Sequence, residues 1–158
     1  MRTNSNREDL GVATWSMFLR THAAVVSRLE RELADQRRLP LSWYDVLLEL
    51  NSAPGRRLRM QELGNRVVLS RSRVSRIVEE LSQAELARRE PDPNDGRGSY
   101  AVITASGRSM LRSAAPVYLR GIAQHFTNHL DDRQLRAIHD ALSRIVDAQE
   151  RSADPPPR

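Results

Sequence analysis

Cysteine is absent from this chain of 158 residues, which removes disulfide stapling, thiol nucleophiles and thiol-based redox sensing together. Lysine is absent as well: all 25 basic residues are arginine, and against 20 acids they leave a net charge of +5. No apolar run approaches the roughly 20 residues that a helix needs to cross a bilayer, and the opening MRTNSNREDLG lacks the apolar core of a secretory leader. No nucleophile elbow, phosphate-cradling glycine loop or carboxylate pair stands out, so an enzyme is not expected. There is no internal repeat. These absences predict a cytoplasmic binding protein without a membrane segment, built as one domain or two small lobes.

What is present is concentrated. Arg56, Arg57, Arg59, Arg66, Arg71, Arg73 and Arg76 fall within a stretch whose only acid is Glu62, a local positive potential suited to phosphates. An all-arginine composition can follow from a GC-rich genome, so placement carries more than residue type. Within Leu69 to Leu86, Ser70 reads as a helix N-cap, and Val74, Ile77, Val78 and Leu81 recur at the spacing of one helix face. The opposite face offers Arg71, Ser72, Arg73, Ser75 and Arg76. An apolar back with a cationic, hydrogen-bonding front suits a helix that enters a groove of nucleic acid. A plain amphipathic helix with a solvated face reads the same way, so the flanks decide.

Upstream, Trp15, Phe18, Leu19, Val25, Val26, Leu29 and Leu33 predict one long helix over about Leu10 to Gln36, too long for a small lobe to cover and suited to sharing with a second subunit. Pro40 ends that pattern. Ser42 is then predicted to cap a short helix, with Asp45 in the reciprocal position and Val46, Leu47 and Leu50 inward, ending at Ala53-Pro54-Gly55. A third helix over Met60 to Val67 and the turn at Val68-Leu69 complete a helix-turn-helix. Leu86 to Glu90 and Ser99 to Ile103 read as strands of a hairpin, a "wing" with Arg97 at its tip between two glycines. Thr104 caps a helix to about Leu130, kinked at Pro116 and Gly121, with Met110, Leu111, Ala114, Val117, Ile122 and Phe126 as candidate buried positions. Asp131 and Gln134 form a capping box before a last helix with the stripe Leu135, Ile138, Leu142, Ile145 and Val146. The fold expected is mainly α with a small β-hairpin wing. It divides into an N-terminal dimerisation helix (1–39), a winged helix-turn-helix lobe (40–104), C-terminal dimerisation helices (105–151) and a disordered tail (152–158).

The string Asp95-Gly96-Arg97, followed by Ile103-Thr104 and Gly107, resembles the wing signature of the MarR family of bacterial transcriptional regulators. The likeness extends to Pro40–Leu47, to Gln61-Glu62-Leu63-Gly64 and to Leu69–Arg76, and the order of elements agrees from about Leu10 to Arg151. The resemblance implies a homodimeric winged-helix regulator, a repressor in the first instance, whose two wings straddle a palindromic operator in double-stranded DNA. It places Ser70, Arg71, Ser72, Arg73, Ser75 and Arg76 at the DNA, with Ser72, Arg73, Ser75 and Arg76 facing base edges and phosphates. Arg97 would enter the minor groove, oriented by an ion pair with Asp95. Departures from the family pattern are Gly96 for a second wing arginine, Val68 for a turn glycine, Arg73 for a threonine and Glu85 for the glycine ending the recognition helix.

The resemblance also implies a small aromatic or anionic effector between the dimer helices and the DNA-binding lobe. Trp15, Phe18, His22, Trp43 and Tyr44 are the candidate lining residues, each of which could equally be core or interface. No cofactor is expected. His125 and His129, four apart on one helix face, could share a zinc ion if His22, His139 or Asp131 supplied a further ligand, which gives a zinc-responsive regulator as one alternative. A non-specific architectural DNA binder is the other.

Overall fold

Local stop and start signals set the helices, and long-range pairing adds what those signals do not announce. The computed structural model describes residues 2–153 apart from Val68 and Asn94; for residues 2–5, Arg71, Gly96, Arg97, Glu150 and Ala153 it describes the backbone alone. Helix α1 (Arg2–Arg37) begins well before Leu10 and ends where Arg38 turns left-handed at φ 52°. Helix α2 (Leu41–Ser52) starts one residue before the predicted cap. The carbonyl of Pro40, not the side chain of Ser42, accepts from the amides of Trp43 and Tyr44 at 3.0 and 3.1 Å. Ser42 and Asp45 therefore lie inside the first turns and make no capping box: proline's fixed φ already sets the helix entry.

Strand β1 (Arg57–Arg59) precedes α3 (Met60–Arg66) and α4 (Arg71–Gln83). Ser70 caps α4 as predicted, its hydroxyl accepting from the Arg73 amide at 3.4 Å. The far end closes by two backbone bonds, Glu85 N–H to the Ser82 carbonyl (3.1 Å) and Leu86 N–H to the Leu81 carbonyl (2.8 Å), with Glu85 left-handed at φ 58°. This is a Schellman closure made with glutamate where glycine is the unstrained residue.

Strands β2 (Ala87–Asp92) and β3 (Asp95–Ile103) form the wing, and β1 pairs with the other edge of β3, giving an antiparallel sheet in the order β1-β3-β2. The hairpin is longer than the sequence predicts. Its strands absorb the turn-forming residues on both sides, Asp92 pairs with Asp95, and an irregularity at Pro91 and Asp92 accommodates the proline.

Helix α5 (Ala105–His125) is capped by Thr104, which accepts from the Gly107 amide at 2.9 Å and donates to the Glu85 carbonyl at 2.7 Å. A side chain at position 107 would collide with the Leu86 carbonyl, so the helix start can lie against the end of α4 only with glycine there. The helix runs unbroken past Pro116 and Gly121, held by the buried Leu111, Ala114 and Val117, and stops at Phe126 instead of Leu130. One 3-10 turn (Thr127–His129) leads to α6 (Asp132–Ala153). The capping box is present: Asp131 N–H to Gln134 Oε1 at 2.9 Å, Gln134 N–H to Asp131 Oδ1 at 2.8 Å. Ser152 and Ala153 are helical, where the sequence predicts a disordered tail from residue 152; residues 154–158 lie outside the described residues.

One apolar core joins Leu29 and Leu33 of α1, Val46, Leu47 and Leu50 of α2, Leu58 of β1, Leu63 of α3, Val74, Ile77, Val78 and Leu81 of α4, and Leu111, Ala114 and Val117 of α5. The α1–α5 crossing is close. A Cβ at Gly121 would stand 2.5 Å from Leu29 Cδ2, and beside it His125 Nε2 lies 2.6 Å from Glu32 Oε1.

Candidate nucleic-acid interface

The front of α4 is built on a firmly seated helix. With its apolar back in the core, Ser72, Arg73 and Arg76 are exposed and Ser75 is half-buried, while the capping hydroxyl of Ser70 lies 3.2 Å from that of Ser72. The positive end of the helix dipole points the same way as these donors, which favours phosphate. Two arrangements organise this face, and each contains a bond between residues far apart in sequence. Arg89 on β2 sends Nη2 to the carbonyl (3.0 Å) and the hydroxyl (2.7 Å) of Ser75, tying the wing strand to the helix. The Ser75 hydroxyl keeps its own proton to donate. Arg76 donates from Nε to Glu80 Oε1 at 3.0 Å, and the indole N–H of Trp43, on α2, donates to Glu80 Oε2 at 3.1 Å. The indole hydrogen bond, reinforced by that of Arg76, holds the Glu80 carboxyl below the usual range, so it stays charged.

At the wing, Arg59 on β1 sets Nη2 at 2.6 Å from Oδ2 of Asp92, whose side chain is fully buried. Arg59 Nε also donates to the Tyr100 hydroxyl at 3.3 Å, and the guanidinium of Arg57 lies 4.7 Å from the centre of the Tyr100 ring. The Tyr100 hydrogen bond first, and then Asp92, push the Arg59 pKa up further. The extra strand thus anchors the hairpin by charge and stacking as well as by backbone pairing. Asp95 is exposed beside this anchor. The side chains of Arg71 and Arg97, and so the expected Asp95–Arg97 pair, lie outside the described residues.

The candidate effector residues do not converge. Trp15 and Phe18 stack at 5.7 Å on the exposed part of α1, and His22 is exposed. Trp43 is engaged with Glu80, and Tyr44 is buried against Tyr118 at 4.5 Å between ring centres. Among the described residues two clefts are evident, one of about 520 Å³ lined by Ser42, Ser72, Arg73, Arg76, Ile77 and Glu80, and one of about 190 Å³ lined by Ala24, Val25, Arg28, His125 and His129. None of the five candidates lines either. The two histidines are turned to separate partners, His125 to Glu32 and His129 to the Gln124 carbonyl at 3.0 Å. Among the described residues no three His, Asp or Glu side chains cluster as a metal site, so none of them joins the two histidines as a third zinc ligand. Asp45, far from its predicted cap role, has its carboxyl pushed up to about 6 by burial and by neighbouring Glu49.

The family model described as the MarR family matches residues 39–98, which takes in α2 to most of the wing. The chain is similar to two MarR family transcriptional regulators from Streptomyces coelicolor. Sco3205, solved in complex with DNA, is 29% identical with a TM-score of 0.81, covering 86% of each chain. AbsC is 29% identical with a TM-score of 0.81, covering 90% of this chain and 95% of its own. YkoM of Bacillus subtilis (strain 168), an uncharacterized HTH-type transcriptional regulator, is 27% identical over 140 residues, 87% of this chain and 89% of its own. With the family model lying across the helix-turn-helix and wing, and with these regulators matching most of its length, the chain has the winged helix-turn-helix fold of the MarR family transcriptional regulators to which it is similar.

Proposed function

We propose that the protein is a homodimeric repressor that binds a palindromic operator and is released by a small aromatic or anionic effector. The observation that carries this reading is the exposed apolar face at the two ends of the chain: Trp15 is 60% exposed, Ile145 57% and Val146 54%, on helices that flank a well-packed lobe. Such a face calls for a second copy. A two-fold assembly would present two α4 fronts about 34–36 Å apart, the spacing of successive major grooves. Ser72, Arg73, Ser75 and Arg76 then read base edges and phosphates, Ser70 and Arg71 flank them at the backbone, and Arg97 reaches the minor groove with Asp95 beside it. The Sco3205 complex with DNA supports this use of the fold. The effector would act through its differential affinity for DNA-competent and DNA-incompetent dimers, seated between the dimer helices and the DNA-binding lobe.

The test is selection of bound duplexes from a random pool by the purified protein, with its mass in solution measured in parallel. An inverted repeat with half-sites about one helical turn apart, bound by a dimer, is the expected result. Arg97→Ala should weaken operator binding and lower the salt slope by about 0.9 for each phosphate that is no longer neutralised. A lone subunit that retards random DNA equally well would overturn the proposal.

A further inference from the structure

We infer that Glu80 and Trp43 are positioning residues for DNA reading: they clamp the Arg76 guanidinium by its Nε edge so that the two terminal nitrogens face the duplex as a fork. The inference rests on α4 being the element that enters the major groove. Arg76 is 81% exposed, and an unrestrained arginine there would pair with whichever phosphate lay within reach. Its Nε is instead engaged by Glu80 Oε1 at 3.0 Å, which leaves the end-on edge for an outside acceptor. That edge matches O6 and N7 of guanine in the major groove.

The clamp is itself held. Glu80 could follow Arg76 through its rotamers if only one oxygen were engaged, but its other oxygen accepts from the Trp43 indole, and Trp43 is half-buried on a different helix. The two bonds span α2 and α4, so the direction of Arg76 is referred to the lobe and not to α4 alone. The carboxylate also forms a wall of the cleft shared with Ser72 and Arg73. A negative charge there opposes phosphate binding of any sequence. Its effect is to exchange general affinity for discrimination, because Arg76 gains more from a correctly placed guanine than from a stray phosphate.

The experiment uses the full-length protein with three duplexes: one that it selects from a random pool, the same duplex with single guanines replaced by 7-deazaguanine, and a random sequence. The wild type should lose about tenfold in affinity at one guanine per half-site when N7 is removed. Glu80→Gln should reduce that penalty to about twofold while binding random duplex about threefold more tightly, since one repelling charge per subunit is gone. Trp43→Phe keeps an aromatic side chain and the Glu80 charge but removes the indole N–H, so it should reduce the penalty with random-duplex affinity unchanged. In an Arg76→Ala background neither change should alter the penalty. A purely structural role would instead weaken all three duplexes together. The inference is overturned by that outcome, by a wild-type penalty retained in both variants, or by no guanine showing a penalty. A wild type that selects no duplex at all would remove the operator reading itself, which is a different failure.

Discussion

Helices α4 and α6 carry the same kind of stripe and meet opposite fates. Val74, Ile77, Val78 and Leu81 of α4 are at most 5% exposed, covered by α2, α3 and the root of the wing. On α6, Leu142, Ile145 and Val146 remain 37%, 57% and 54% exposed. Helix α1 shows both fates in one element, with Leu29 and Leu33 in the core and Trp15 and Phe18 in the open. Periodicity therefore identifies a face and leaves its cover unnamed. In the lobe the cover comes from the same chain; at the two ends the proposed second copy supplies it.

The largest effects should separate these two kinds of face. Leu47→Ala, at a fully buried position of α2, should cost about 2–5 kcal/mol of unfolding free energy, the same at every protein concentration, in denaturant titrations. Ile145→Asp should cost about 2–4 kcal/mol of dimer free energy, read by sedimentation as a shift to monomer and by a melting temperature that rises with concentration. A concentration-independent loss for Ile145→Asp would make the α6 face an ordinary surface.

Smaller effects come from two local strains inside the lobe. Asp45 is half-buried near Glu49, and its carboxyl is raised from 3.8 to about 6. A folded-state value above the unfolded one means that stability falls as pH rises through that window and then levels off. Asp45→Asn should therefore stabilise above pH 6, by about 1–2 kcal/mol once partial exposure is allowed for, and the gain should vanish below about pH 4, as melting curves across pH would show. The left-handed Glu85 predicts that Glu85→Gly raises stability by about 0.5–1 kcal/mol, with an unchanged or lower melting temperature counting against strain at that turn.

Features set by neighbours in sequence are readable from it. The hydroxyls of Ser70 and Thr104 and the Asp131–Gln134 box bond within three residues, and the apolar stripe of α4 is legible in full. The cap at Ser42 misleads because Pro40, two residues earlier, supplies the same start through its carbonyl. β1 escapes notice because three residues with one buried leucine carry no alternation to read, and their partners, Tyr100 to Val102, lie beyond α4. The candidate site divides likewise. Its exposed arginines are visible, but the Arg89–Ser75 and Trp43–Glu80 bonds join residues 14 and 37 apart, which no local pattern announces.

The tight α1–α5 crossing has a mechanical consequence. With Gly121 admitting Leu29 and the Glu32–His125 bond alongside, α1 is pinned near one end of its 36 residues, while its free length projects toward the proposed partner. From Leu29 back to Leu10 the arm is about 28 Å at 1.5 Å per residue, so pivoting by about 5° would carry its tip about 2.5 Å. In the proposed dimer, a lever of that kind would convert a small disturbance at one glycine into a change of spacing between two reading heads.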